Sequence, residues 1–376
     1  MLPGPTNVPQ RVMNAMLAPI INHRSDDFRS LYRSIIGKTQ QVFQTNNDII
    51  LFTASGTGAV EASVINLIKK NDEVIVPVAG EFGTRLADLI DSWGGNAIRI
   101  NARYGENPPY EDIEKAFDEH KNIKAVYVVY NETSTGTTIR YVDKIGELCS
   151  RNGVFFVLDA VSILGGDELP VDKWNVDICI TASQKAIAAP PGVAPISISK
   201  RAKQYIESNP APTQYLNIKR YFKYYEDNYE TPFTPALPLF CAFKEALDII
   251  LEEGLQNRIK RHKQCANALY SGLLALGMSP FAKPDARSNL VLAFTYPSGL
   301  DDKKFRGILA REFRVLVAGG FGPLKGKVFR IGSMGEVGRY HVIRTLSSIE
   351  ACMDILGLPE NKEAIAKALE NFDSQS

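Results

Sequence analysis

Between positions 49 and 199, short β-branched apolar runs alternate with longer stretches in which apolar residues recur every third or fourth position. Seven runs, at 49–52, 73–78, 97–100, 124–130, 154–158, 178–181 and 193–199, read as strands. Their apolar residues are consecutive rather than alternating, as in strands covered on both faces of a mainly parallel sheet. Segments 59–69, 84–93, 110–120 and 142–151 carry helical spacing. In the last, Val142, Ile145, Leu148 and Cys149 share one face, and Asn152-Gly153 supplies the stop. The alternation predicts an α/β domain with helices on both sides of the sheet.

The rhythm breaks at 205–237, where Tyr205, Tyr215, Tyr221, Tyr224, Tyr225 and Tyr229 crowd among Pro210, Pro212, Pro232 and Pro235. So many rings are costly to leave in water, and the segment reads as an ordered, irregular excursion packed on another surface such as a second subunit. A long helical pattern at 239–276, broken near Gly254, links to a second unit. There 290–296, 315–317 and 328–331 read as strands and 303–313 and 340–356 as helices, an α+β order. From 361 the chain is helix-like and polar at its end.

Composition narrows the function classes. The 376 residues carry 43 Lys plus Arg against 42 Asp plus Glu, a net charge of +1 that advertises no nucleic-acid partner. The longest apolar stretches, 125–130 and 154–158, fall far short of the roughly 20 residues that cross a bilayer. Neither a secretory signal in the first residues nor an organelle address in residues 373–376 is visible, so a cytoplasmic location is expected. Five scattered cysteines and four separated histidines form no CxxC or HxxxH pair, and no metal site is expected.

Four places can carry chemistry. Thr53-Ala54-Ser55-Gly56-Thr57-Gly58-Ala59 joins a strand to a helix N-terminus that can hold a phosphate, or is a plain capped glycine turn. Glu61 stands where a dinucleotide fingerprint needs its third glycine, so a small phosphorylated cofactor fits better than NAD. Asp159 closes an apolar strand at the sheet's carboxyl end, suited to a ring N–H⁺ or to capping the next turn. Lys185 lies among small residues before Ala189-Pro190-Pro191-Gly192 and can form a Schiff base, although most lysines are merely solvated. Arg330, inside Val328-Phe329-Arg330-Ile331-Gly332, needs an anion: a substrate carboxylate or an internal acid. Taken together, these groups describe pyridoxal phosphate.

Across nearly the whole chain the sequence resembles the class V aminotransferases of fold type I, within the serine–pyruvate, alanine–glyoxylate and serine–glyoxylate group. The likeness runs from Pro3-Gly4-Pro5-Thr6-Asn7-Val8-Pro9 through Ser183-Gln184-Lys185-Ala186 to Gly319-Gly320-Phe321-Gly322-Pro323 and Phe329-Arg330-Ile331-Gly332. It implies a large domain with a mainly parallel seven-stranded sheet flanked by helices and a smaller C-terminal α+β domain. The divisions are an N-terminal segment over the active site (1–14), a large cofactor-binding domain (15–253) and a small domain (254–376).

For the site, the resemblance implies an aldimine on Lys185, Asp159 at the pyridine nitrogen, and Ser55, Gly56, Thr57 and Gln184 at the phosphate. Phe82 and Val161 would cover the two ring faces and Thr133 would face the phenolic oxygen and the substrate. Thr234 would reach the phosphate of the opposite subunit, with Thr231 aligned where relatives carry tyrosine. Gly4 and Arg330 match positions that close over and bind the substrate carboxylate. The implied protein is an obligate homodimer with shared active sites that moves the amino group of serine or alanine to glyoxylate or pyruvate. Cysteine desulfurases share the fold but generally carry His before the lysine, where Gln184 stands. A nicotinamide-dependent dehydrogenase and a non-enzymatic binding protein on the same scaffold are the competing readings, since fold by itself does not prove activity.

Overall fold

The computed structural model of the protein describes residues 1–358 and 363–373. Helices α1 (Gln10–Ala15) and α2 (Asp26–Phe43) come first, then β1 (Asp48–Phe52), α3 (Gly56–Leu67), β2 (Glu73–Val78), α4 (Glu81–Ser92), β3 (Asn96–Asn101), α5 (Tyr110–Glu119) and β4 (Ile123–Val129). A two-stranded hairpin, β5 (Asn131–Glu132) and β6 (Thr137–Thr138), precedes α6 (Val142–Arg151), β7 (Phe155–Asp159), β8 (Ile178–Ile180) and β9 (Ala194–Ile198). Then follow α7 (Lys200–Ser208), α8 (Ile218–Asn228), α9 (Leu237–Glu253) and α10 (Leu255–Ala275). The remainder holds β10 (Ser279–Pro280), β11 (Val291–Thr295), α11 (Asp302–Glu312), β12 (Ala318–Gly319), β13 (Val328–Gly332), α12 (Arg339–Ile355) and α13 (Ala364–Asp373). Positions 361, 362 and 374–376 of the expected helical tail lie outside the described residues.

All seven expected strands join one sheet in the order β1-β9-β8-β7-β4-β2-β3. Six run in the same direction, and β9 is antiparallel to both its neighbours, β1 and β8. The consecutive apolar residues follow from two covered faces. In β7, Phe156 and Leu158 enter one core together with α2, α6 and α9, while Val157 enters the other, with α3, α4 and α8. Ladder pairing sets Asp159 level with Ile180, so β7 and β8 deliver Asp159 and the Lys185 loop to the same edge.

The aromatic excursion is more regular than its composition suggests, because α8 occupies its middle. Ile218, Tyr221, Phe222 and Tyr225 share a helical face, and strand-favouring Tyr and Phe disguise the period. Rings pack within the chain: Tyr221 lies 4.5 Å from Phe52, Tyr215 5.3 Å from Phe233, and Tyr225 5.7 Å from Tyr32.

The C-terminal portion builds an antiparallel sheet, β10-β11-β13-β12, over a third core that includes α10 and α12. Residues 315–317 are not a strand. Arg314 turns with φ +52°, the Val315 N–H returns to the Leu309 carbonyl as a stop for α11, and the strand begins only at Ala318. The five cysteines are unpaired. Cys149 and Cys179 are buried in the first core, Cys265 and Cys352 in the third, and Cys241 is half-buried in α9.

Candidate active site

At the carboxyl edge of the parallel strands is a cavity of about 180 Å³. Nine of the expected residues line it: Ser55, Gly56, Thr57, Phe82, Thr133, Asp159, Val161, Gln184 and Lys185. Helix α3 points its N-terminus at this space. Ser55 caps it by accepting the Gly58 N–H at 3.3 Å, which leaves the N–H groups of Gly56 and Thr57 open at the helix's positive end. Position 56 has to be glycine for the helix to come so close, since a Cβ there would lie 2.9 Å from Val161 Cγ2 and 3.0 Å from Ala182 Cβ.

Asp159 ends β7, and among the described residues its carboxylate accepts a single hydrogen bond, from the Val161 N–H at 3.0 Å. Burial, more than any neighbour, raises its carboxyl from an ordinary 3.8 to about 6, with Arg85 and Lys185 opposing. Lys185 is shifted the other way, from 10.5 to about 8, by burial and then by the Arg330 guanidinium. Its Nζ donates to the Pro3 carbonyl at 2.7 Å. The N-terminal segment clasps the lysine loop further, with the Thr6 N–H on the Gln184 carbonyl (3.1 Å) and the Thr6 hydroxyl on the Lys185 carbonyl (3.1 Å). Gly4, at φ +113°, crosses the lysine so closely that a Cβ would lie 2.7 Å from Cε.

Arg330 comes from β13 beside the cavity and is 5% exposed. Its Nη1 donates to the Thr133 carbonyl at 2.8 Å and its Nε to the Gly319 carbonyl at 2.9 Å, while Cζ lies 4.4 Å from the Phe321 ring centre. No acid pairs with it among the described residues, and burial lowers its pKa to about 10. The structure therefore brings Gly4 and Arg330 to the lysine and its cavity rim. It does not bring Thr231 or Thr234 there. Thr231 is buried elsewhere, its hydroxyl donating to the Phe233 carbonyl at 2.7 Å, and Thr234 is exposed on the surface of its own chain.

Two charged residues at the site escaped the sequence pattern. Arg85 lines the cavity from α4, with Cζ 4.6 Å from the Phe82 ring centre and no acid partner among the described residues. The sequence signal was its place one helical turn after Phe82. Glu132, next to Thr133, is almost wholly buried and binds the start of α4.

The chemistry of these groups fits pyridoxal phosphate. Open helix N–H groups suit a phosphate, and an acid and an amine converge on the same space. The Gln184 Oε1, buried in the cavity wall, has no hydrogen-bond partner among the described residues. Among the described residues no group of three His, Cys, Asp or Glu side chains could hold a metal, and no helix is long and apolar enough to cross a membrane.

Comparison with known proteins agrees. The class V aminotransferase family matches residues 2–322. An uncharacterized aminotransferase of Methanocaldococcus jannaschii is 43% identical over 371 residues, covering 98% of this chain and 96% of the relative. Serine–glyoxylate aminotransferase of Methylorubrum extorquens is 34% identical, with 93% of this chain and 89% of the relative covered. The crystal structure of ureidoglycine–glyoxylate aminotransferase from Bacillus subtilis superposes with a TM-score of 0.94 at 30% identity, covering 99% of this chain and 97% of that one. With sequence, backbone and cavity chemistry in agreement over nearly its full length, the chain belongs to the class V aminotransferases and takes pyridoxal phosphate as its cofactor.

Proposed function

We propose that this transaminase moves the amino group of a small amino acid, serine or alanine, to glyoxylate or pyruvate. The observation that carries the reading is Arg330, a buried guanidinium with two donors spent on backbone carbonyls and no acid paired with it among the described residues. A guanidinium so placed binds the carboxylate that amino and oxo acids share. Bound pyridoxal phosphate supplies an electron sink for the bonds at the substrate's Cα.

The chain's own residues do the rest. Ser55, Gly56, Thr57 and Gln184 would hold the phosphate, Asp159 would face the ring nitrogen, Phe82 and Val161 would cover the ring, and Thr133 would reach its phenolic oxygen. Lys185 would hold the aldehyde; burial lowers its amine to about 8, so near neutrality far more of it is unprotonated than in a solvated lysine, as a nucleophile requires. Once freed by the incoming amino acid, Nζ takes the proton from Cα and later returns one, so a single group serves as base and acid. Gly4 closes over the substrate, and Arg330 fixes the carboxylate so that one Cα bond is presented for cleavage. Thr234, exposed on its own chain, would complete the phosphate site of a second subunit in a homodimer, with Thr231 placing that loop. Residues 1–14, 15–253 and 254–376 then act as lid, cofactor platform and substrate-closing domain.

A second reading comes from Arg85, whose guanidinium at the cavity wall, without an acid partner among the described residues, suits a donor with a distal carboxylate such as aspartate. One experiment separates the two: a panel of amino donors against glyoxylate and pyruvate, read by oxo-acid formation. Fastest turnover of serine or alanine is expected. A preference for aspartate would transfer the distal contact to Arg85, and a preference for glutamate would overturn the small-donor reading.

A further inference from the structure

Glu132 has no task in the reading above, yet it is 1% exposed and no cation pairs with it among the described residues. Four donors converge on its carboxylate. Oε2 accepts the N–H groups of Phe82 and Gly83, each at 3.0 Å, and Oε1 accepts the Ser134 N–H at 3.0 Å and the Ser134 hydroxyl at 2.6 Å. The same hydroxyl accepts the Glu81 N–H at 3.0 Å. This carboxyl sits at the positive end of α4, where the Ser134, Gly83 and Phe82 donors hold it down but only in part offset burial, which on balance raises it above the usual carboxylate range. Contact is close enough that a Cβ on Gly80 would lie 2.7 Å from Glu132 Cγ.

One residue further on, the Thr133 carbonyl accepts Arg330 Nη1. The hairpin is itself anchored, since Asn131 Nδ2 donates to the Ser162 hydroxyl at 2.9 Å and the Thr138 hydroxyl donates to Asn131 Oδ1 at 2.8 Å. A single rigid turn thus holds both the backbone of Phe82 and the carbonyl that aims Arg330. Moving the carboxylate would release the start of α4 and shift the arginine together.

We propose that Glu132 is a positioning residue that sets the spacing between the ring-covering Phe82 and the carboxylate-binding Arg330. The inference rests on the roles proposed above for those two residues. Charge and acceptor count both matter, because an amide at this position offers one oxygen where two accept and turns an N–H donor toward donors already there.

The test uses the full-length protein with Glu132→Gln, Glu132→Asp and Ser134→Ala. Cofactor affinity is measured by titrating cofactor-free protein with pyridoxal phosphate, and the environment of the bound ring by visible circular dichroism. Glu132→Gln is expected to raise the cofactor Kd about tenfold, the scale of one lost charge-assisted hydrogen bond, and to alter the dichroic band. It should also raise KM for the amino donor by a larger factor than it lowers kcat. Ser134→Ala, which keeps the anion and loses one side-chain donor, should show a smaller change of the same kind. If Glu132→Gln does not fold, Glu132→Asp carries the test, since its shortened reach predicts the same pattern. A lowered melting temperature with unchanged Kd, dichroism and KM would overturn the proposal. If the wild-type protein turned over none of the small donors, the functional reading would fail while Kd and dichroism still judged Glu132.

Discussion

Replacing Asp159 by Asn should stabilise the cofactor-free protein while disabling it. The carboxylate at the end of β7 has one hydrogen bond and no direct ion pair among the described residues, and burial raises its pKa from 3.8 to about 6. A folded-state pKa above the unfolded value means that folding favours the protonated form. Stability from this group is therefore complete below about pH 4 and lost as pH rises toward 6. At about 1.4 kcal/mol per pH unit the loss reaches up to about 3 kcal/mol, an upper figure because the residue still touches the open cavity. Asparagine keeps the acceptor for the Val161 N–H and carries no charge. Urea unfolding of both cofactor-free proteins across this range should give equal stabilities at the acid end. A gap favouring Asp159→Asn should open between the two pKa values and stay level above about pH 6. Affinity for pyridoxal phosphate should fall in the same variant, because nothing then balances a protonated ring nitrogen. A gap independent of pH, or a wild type more stable at about pH 8, would refute the reasoning.

Lys185→Ala should remove turnover together with the visible absorbance of covalently held cofactor; a variant that still transaminates at the wild-type rate would defeat the assignment. Capture of added cofactor by the free protein should accelerate as pH rises toward and through about 8, because the buried amine must lose its proton to react, and stopped-flow absorbance would follow it. A rate that is flat across that range would count against Lys185 as the acceptor. Arg330→Lys, which replaces a planar fork by a point charge, should raise KM for donor and acceptor alike by roughly 10- to 100-fold with cofactor affinity nearly unchanged, and equal KM values would exclude it as the carboxylate site.

The large sheet was legible because burial on both faces writes unbroken apolar runs, and each of the seven became a strand of that sheet. Strand ends were legible for the same reason, which located Asp159 at the end of β7, whereas Lys185 lies in the turn beyond β8 and was found from its small neighbours and the Pro-Pro-Gly that follows. Helix α2 was not foreseen, although Ser25 caps it and Phe28, Tyr32, Ile35 and Ile36 line one face. Its charged residues are dense, and what stabilises it is contact with α9, a partner about 200 residues away that no local window contains. The same limit hid the hairpin β5–β6 and the short strand β12 that pairs with the expected β13, since two-residue strands are too brief to show a period. Arg85 and Glu132 were hidden differently. Single charged residues in a helix or turn read as solvated, and only the tertiary fold turns Arg85 to the cavity wall and closes α4 over Glu132.

The distribution of unpaired thiols gives the molecule built-in reporters. Cys149 and Cys179 lie in one core beneath the large sheet and Cys265 and Cys352 in the core of the small one, and burial pushes all four thiols above their ordinary pKa. Alkylation of any of them must await an opening fluctuation that admits reagent and water. Mass-resolved labelling of the native protein would therefore clock the breathing of the two halves separately, without a single introduced probe.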